Sequence, residues 1–167
     1  GSINHALAAL GIVDQPIPFL SDANWVWPSI ILIITWNTLP LVTLTFLASL
    51  QSLSSELIEA AEIDGANGIQ LLRYIYLPHL KPAIIVMVLM STFWTFNNFV
   101  YVWLTTGAGP GLYTNVMATE VYIKGFIDGR LGFSAATGVV MATIMTLFGL
   151  IYLRVIASRE LVEDSNR

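Results

Sequence analysis

The chain has 167 residues, of which 56% are hydrophobic and 11% charged, and its mean hydropathy is +0.73. Soluble domains carry about 25% charged residues, so this composition excludes a chain with a fully water-facing surface and indicates a membrane protein. The net charge of −4 argues against nucleic acid as a partner. The absence of cysteine excludes a disulfide framework and a thiolate metal site.

Residues 1–24 predict an external loop that contains a short amphipathic helix near its start. Trp25 and Trp27 follow, as expected where a membrane span meets the lipid headgroups. We expect the two histidines, His5 and His79, in loops, and they are too far apart in sequence to indicate a metal site.

The first long apolar stretch predicts a transmembrane helix over residues 25–50, since about 20 apolar residues cross a bilayer. Pro40 predicts a kink within it. The stretch is not uniformly apolar, because it contains Thr35, Asn37, Thr38, Thr43 and Thr45.

Residues 51–81 form a charged segment between two stretches that lack any charged side chain. Ser54 and Ser55 are both candidate caps for a helix, and Glu56 and Glu59 would lie in its first turn, where the helix dipole favours negative charge. Gly65 suits the end of that helix. The pattern predicts a short helix that ends in a sharp turn.

A second short amphipathic pattern follows the turn signal Asn67-Gly68. Pro78 and Pro82 lack a backbone N–H group, so we expect the next long helix to begin only near Pro82. The segment is therefore predicted to be a helix-turn-helix that leads back into the membrane.

The order Glu59-Ala60-Ala61, Gly65 and Ile75-x-Leu77-Pro78 resembles the EAA loop of binding-protein-dependent ABC importer permeases. We call residues 51–81 the EAA segment. The resemblance implies a coupling helix that docks on a separate ATP-hydrolysing subunit. The alternative is an amphipathic connector that packs on its own protein. The residues implied in coupling are Glu59, Ala60, Ala61, Asp64, Gly65 and Ala66.

The second span is predicted over residues 82–104, where Ser91, Thr95 and Asn98 would share one face of a continuous helix. Carboxamides and hydroxyls beside aromatic rings suit a sugar, although such groups also join membrane helices to one another. The likeness extends to carbohydrate-importing members of the family, such as the maltose permease. It implies a solute-lining set of Asn37, Thr38, Leu41, Ser91, Thr95 and Asn98.

Residues 105–132 predict a second external loop with its own amphipathic helix, and residues 133–154 predict the third span. A cytoplasmic tail, residues 155–167, would follow. Lysine and arginine are concentrated on the side of the EAA segment and the C-terminus, which places that side in the cytoplasm by the positive-inside rule.

The sequence lacks a Gly-x4-Gly-Lys-Ser/Thr phosphate loop and the motifs of hydrolytic enzymes, so we expect no enzyme activity and no cofactor bound by this chain. No predicted span carries an ionisable residue at its centre. This argues against a proton- or sodium-coupled transporter, which usually keeps such residues within its spans.

The expected fold is an all-α integral membrane protein, with three transmembrane helices and a cytoplasmic helix-turn-helix loop. The resemblance implies a type I ABC importer permease in the bacterial inner membrane, which moves a sugar or sugar-like solute inward by alternating access. The family carries further N-terminal spans, so we expect the chain to be a C-terminal portion. The alternative function is an ATP-independent secondary transporter or channel subunit.

The resemblance also implies the partners. They are an ABC ATPase dimer that binds ATP and Mg²⁺, a second permease subunit, an extracytoplasmic solute-binding protein and the lipid membrane.

Overall fold

A computed structural model describes the backbone of residues 1–164 and the side chains of residues 1–156. Every regular element in this range is helical, as predicted. The helices are α1 (Ser2–Ala9), α2 (Ala23–Gln51), α3 (Ser55–Ile63), α4 (Gly68–Leu71), α5 (Leu77–Phe96), α6 (Val100–Thr106), α7 (Met117–Tyr122) and α8 (Leu131–Asp164). Two π-helical turns complete the list, Leu72–Tyr76 before α5 and Ile123–Ile127 after α7.

Three helical stretches are long and apolar enough to cross a bilayer, namely Ala23–Gln51, Gly68–Phe96 and Leu131–Ile156. A helix rises 1.5 Å per residue, so each exceeds the roughly 30 Å of a hydrocarbon core. Only 6–11% of their most apolar windows is buried within the chain. Their sides are therefore left for lipid or for other helices, and the predicted fold class is confirmed.

The second of these stretches begins 14 residues earlier than predicted. Residues 68–96 form one continuous helix, in which Pro78 and Pro82 lie inside rather than at the start. A proline ring clashes with the carbonyl four residues before it. The π-helical turn directly before Pro78, where the Leu77 N–H donates to the Leu72 carbonyl, widens the helix at this place. The expectation that the prolines delay the helix was wrong.

The same stretch also ends earlier than predicted. Helix α5 stops at Phe96, residues 97–99 are non-helical, and α6 begins at Val100. The Asn97 side chain donates to the Phe93 carbonyl (2.9 Å), and the Asn98 side chain accepts from the Tyr101 N–H (3.0 Å). Asparagine side chains compete with the helix for backbone groups in this way. Residues 82–104 are thus not one helix, and Asn98 does not share a helix face with Ser91 and Thr95.

Two smaller expectations also change. His5 lies in α1 and His79 in α5, so neither is a loop residue. Helix α8 continues to Asp164, so residues 155–164 extend the third long helix instead of forming a separate tail. Residues 165–167 of the predicted tail lie outside the described residues.

The chain divides into two compact units. The first combines residues 1–34 with 98–139, and its core is formed by Val26, Ile30 and Val102. Fully buried Thr114 donates to the Gly109 carbonyl (2.7 Å) within the predicted loop over residues 105–132. These contacts fix the loop between α6 and α7.

A close helix contact also belongs to the first unit. Ser134 at the start of α8 donates to the Val121 carbonyl of α7 (2.7 Å). Gly125 is buried beside it, and a Cβ atom at Gly125 would lie 2.7 Å from Ser134 Oγ. A larger residue at position 125 therefore does not fit without a shift.

The second unit combines residues 35–97 with the chain from residue 140 onward, and it contains the EAA segment. Helices α5 and α8 are joined here, because the Tyr152 hydroxyl donates to the Ile85 carbonyl at 2.6 Å. The Phe93 ring packs edge-on against Phe148 and lies 3.3 Å from where a Cβ of Gly149 would be. The small residue at 149 lets the aromatic ring approach the α8 backbone.

Candidate functional site

Helix α3 of the EAA segment begins at a serine cap. Ser54 has an extended backbone, and its Oγ accepts from the Leu57 N–H at 3.3 Å. Glu56 lies in the first turn, near the positive end of the helix dipole. Of the two candidate caps, Ser54 is the one that caps α3, and Glu59 lies beyond the first turn.

The end of α3 is a Schellman motif centred on Gly65. The Ala66 N–H donates to the Ala61 carbonyl (2.9 Å), and the Gly65 N–H donates to the Glu62 carbonyl (3.0 Å). Gly65 has a φ of +85°, in the left-handed region that L-residues with a side chain rarely adopt. The left-handed backbone conformation at this position therefore requires the glycine of the EAA pattern.

A capping box starts the next helix directly after this turn. Asn67 Oδ1 accepts from the N–H groups of Ile69 and Gln70, and the Gln70 side chain accepts from the Asn67 N–H at 2.7 Å. The sequence pattern predicts only a turn at Asn67-Gly68. The cue that could have identified the cap is the spacing of Asn67 and Gln70, since a capping residue three positions before glutamine signals a helix start.

The described part of the chain buries no residue of α3, and only Ile58 and Ala61 are half-buried. Ile63 is 86% exposed and Leu57 51%, and Ile69 in α4 is 78% exposed. The carboxylates of Glu56, Glu59, Glu62 and Asp64 are exposed and make no ion pair within residues 1–156. The predicted coupling residues 59–61 and 64–66 therefore lie together in α3 and the turn after it, where all are exposed except half-buried Ala61 and Ala66.

His79 connects the start of α5 to the end of α2. Its Nε2 lies 2.9 Å from the Ser49 carbonyl oxygen and 3.0 Å from Ser52 Oγ, near the end of α2. This contact was not predicted from the sequence. No local pattern indicates it, because it joins residues about 30 positions apart.

The predicted solute-lining residues of α2 lie within about one turn of each other. Asn37 and Leu41 are exposed, four residues apart on one helix face, and Thr38 is half-buried. The side-chain amide of Asn37 makes no hydrogen bond to another residue in the described range. It is therefore available to a ligand or to another subunit.

On α5, Ser91 and Thr95 share one face, with Ser91 half-buried and Thr95 exposed. Asn98 lies beyond the helix end and caps α6. Several other span hydroxyls donate to the carbonyl four residues earlier in their own helix, a use that we did not anticipate. These are Thr43, Thr45, Thr92 and Thr146.

Outside these helices, the pKa of Lys124 is shifted by a neighbouring carboxylate. Lys124 donates to the Asp128 carboxylate at 2.8 Å, and this bond raises the pKa of Lys124 above its ordinary value. No group of three or more His, Cys, Asp or Glu side chains that could hold a metal ion is found among the described residues.

Residues 5–160 match the family of binding-protein-dependent transport system inner membrane components. The chain belongs to this family. It is accordingly a multi-pass protein of the inner membrane, and the EAA pattern that the geometry places on an exposed helix and turn is consistent with family membership.

Several permeases are similar to this family member. A probable ABC transporter permease of Brucella suis is 35% identical over 93% of this chain and 54% of its own length. The sulfoquinovosyl glycerol permease SmoG of Agrobacterium fabrum is 34% identical, with 96% and 51% covered. The trehalose/maltose permease MalF of Thermococcus litoralis is 31% identical, with 93% and 52% covered. The chain spans about half the length of these relatives.

Solved structures agree with the family assignment. A chain of a bacterial ABC transporter involved in the import of the acidic polysaccharide alginate matches with a TM-score of 0.79 and 25% identity, over 93% of this chain and 54% of that chain. A second alginate transporter structure, in complex with a periplasmic protein that carries an alginate pentasaccharide, matches with a TM-score of 0.78.

Proposed function

We propose that this chain is part of the permease subunit of an ABC importer that moves a sugar or sugar-like solute inward by alternating access. A separate ATPase dimer binds and hydrolyses ATP with Mg²⁺, so this chain is not itself an enzyme. The observation that carries the proposal is the exposed α3 helix and Gly65 turn, which present the EAA residues outside the long apolar helices.

Helix α3 is suited to dock on another subunit. Exposed Ile63 and Leu57 give it apolar surface, and removing such surface from water contributes about 25 cal/mol per Å². Glu59 adds a carboxylate without an ion-pair partner in the described range, so a basic or N–H-rich groove on the ATPase would pair with it. A connector that packs on its own protein would instead fully bury the face of α3 that carries Ile58 and Ala61, which are only half-buried.

The solute would pass the polar side chains of α2 and α5. Asn37 and Thr95 are exposed, and Trp36 (76% exposed) and Trp94 (51% exposed) precede them directly in sequence. Carboxamides and hydroxyls bond to sugar hydroxyls, and indole rings stack on the apolar faces of sugar rings. The relatives named for sulfoquinovosyl glycerol and for trehalose/maltose support a sugar-like solute.

Two further partners belong to the proposal. A second permease subunit would cover the long helices, whose apolar windows are largely unburied within this chain. An extracytoplasmic solute-binding protein would deliver the solute, a partner supported by the alginate transporter that is described in complex with a periplasmic protein.

Replacement of Ile63 by aspartate tests the docking surface in the complete permease complex. The side chain is 86% exposed, so Ile63→Asp should leave folding unchanged but desolvate a charge in the interface. We expect the ATPase subunit to be lost on purification from mild detergent. Ile12→Asp, at a position 63% exposed in the loop before α2, is the matched control and should retain it. Equal retention by both variants would contradict docking through α3.

A further inference from the structure

The imidazole of His79 is the contact point between the two ends of the EAA segment. It is half-buried in the first turn of α5, and its Nε2 lies 2.9 Å from the Ser49 carbonyl and 3.0 Å from Ser52 Oγ. Ser52 Oγ in turn donates to the same Ser49 carbonyl at 2.7 Å. We call these three residues the His79 clasp.

The geometry decides which ring nitrogen carries a proton. A carbonyl oxygen only accepts, so Nε2 must be the protonated nitrogen and donate to Ser49. Ser49 is one of the last four residues of α2, whose carbonyl groups lack a partner inside their own helix, and its carbonyl accepts from the Ser52 N–H at 3.2 Å. His79 thus adds to the C-terminal end of α2 a donor from the first turn of α5.

Helix α3 is otherwise connected to both long helices by short irregular links. On one side, the non-helical residues 64–67 lie between α3 and the continuous helix formed by α4, the π-helical turn and α5. On the other side, the non-helical residues 52–54 link α2 to α3. Without the clasp, a displacement of α3 would reach each long helix only through its own link, and the two helices could respond separately.

We propose that His79 is a positioning residue for coupling, which fastens the end of α2 to the start of α5 so that movement of α3 displaces both helices together. The inference rests on the proposed function. It adds a role for a residue outside the EAA pattern, and it assigns the transmission of movement to a hydrogen bond rather than to the chain connection alone.

The test compares wild type with His79→Ala, His79→Gln and Ser52→Ala in the complete permease, reconstituted with its ATPase and solute-binding protein. We expect His79→Ala to lower solute-stimulated ATP hydrolysis roughly fivefold, the factor equivalent to about 1 kcal/mol for a hydrogen bond. It should also lower the solute transported per ATP hydrolysed. Glutamine keeps an N–H donor at a similar reach and should restore most of both quantities, and Ser52→Ala should lose less.

A distance measurement tests the clasp itself without ATP. These 167 residues contain no cysteine, so cysteines at exposed Gln51 and Leu77 would carry the only spin-label pair within them. Wild type and His79→Gln should give a narrow distance distribution, and His79→Ala a broader one. A purely stabilising residue would change the melting temperature of the complex without changing the transport per ATP.

The outcomes separate the two proposals. Wild-type stimulation that is fully kept in a folded His79→Ala complex would overturn the positioning role and leave the proposed function standing. A His79→Gln variant as impaired as His79→Ala would overturn the hydrogen bond as its basis. A folded wild-type complex without any stimulation would overturn the proposed function, and the coupling role with it.

Discussion

Gly65 shows how one residue can fix the shape of the EAA segment. Its positive φ closes α3, and a Cβ atom there would meet nothing within 4 Å, so the demand for glycine comes from the backbone alone. The left-handed conformation costs other L-residues about 1–2 kcal/mol, and β-branched residues suffer most. Asparagine is the residue that adopts it most readily after glycine.

We therefore predict that Gly65→Val unwinds the end of α3 and strongly lowers solute-stimulated ATP hydrolysis in the complete complex. Gly65→Asn should keep most of the stimulation. Gly68→Ala is the matched control, since Gly68 lies in a helix, has no positive φ and has open space around it. Equal activity of the valine and asparagine variants would contradict a backbone role for Gly65.

Asn98 has two candidate roles that substitutions can separate. As a cap for α6 it should contribute about 1 kcal/mol, which Asn98→Ala removes and Asn98→Ser largely keeps. As a solute contact it should need its carboxamide, which serine lacks. We predict that Asn98→Ala lowers the melting temperature, whereas Asn98→Ser keeps it and raises the KM for transport. A serine variant with wild-type KM would leave capping as the role of Asn98.

At the scale of elements, periodicity identified the long helices but not their ends. Span length and apolar content can be read from the sequence because they depend on composition. The break at residues 97–99 and the continuous passage through Pro78 depend on competition for single backbone groups, which a hydrophobic pattern does not record. The clasp formed by His79 escaped prediction because long-range pairing has no local signature.

The contact between Gly125 and Ser134 gives a prediction for helix packing. A Cβ at Gly125 would lie 2.7 Å from Ser134 Oγ and 3.0 Å from Ser134 Cβ, so the extra atom must force the start of α8 away. We expect Gly125→Ala to lower the free energy of unfolding in detergent by about 1–3 kcal/mol.

Two further variants control this prediction. Gly132→Ala, in α8 with nothing within 4 Å, should be neutral or slightly stabilising, because alanine favours helix over glycine. Adding Ser134→Gly to Gly125→Ala should recover part of the loss by removing both crowded atoms. A Gly125→Ala variant as stable as Gly132→Ala would contradict this prediction, because the start of α8 would then shift without loss of stability.

For the whole molecule, the family and the fold could be predicted from the sequence, whereas the solute could be predicted only as a sugar or sugar-like molecule. The EAA pattern and three apolar stretches led to the family that residues 5–160 match. The solute-lining set stays a prediction, because selectivity would also depend on the side chains that surround these residues in the complete transporter. The long helices leave most of their surface open for such neighbours.

We have proposed that α3 couples this permease to ATP hydrolysis in a partner subunit. The most direct measurement is ATPase activity of the complete permease, reconstituted with its ATPase and loaded binding protein, in wild type, Glu59→Ala and Glu56→Ala. Both variants remove one exposed carboxylate from α3, so the total charge is matched. We predict stimulation in wild type, its retention in Glu56→Ala and a roughly tenfold or greater loss in Glu59→Ala, as for a charge-assisted hydrogen bond. Full stimulation in Glu59→Ala, or no stimulation in a folded wild-type complex, would contradict the coupling role of α3.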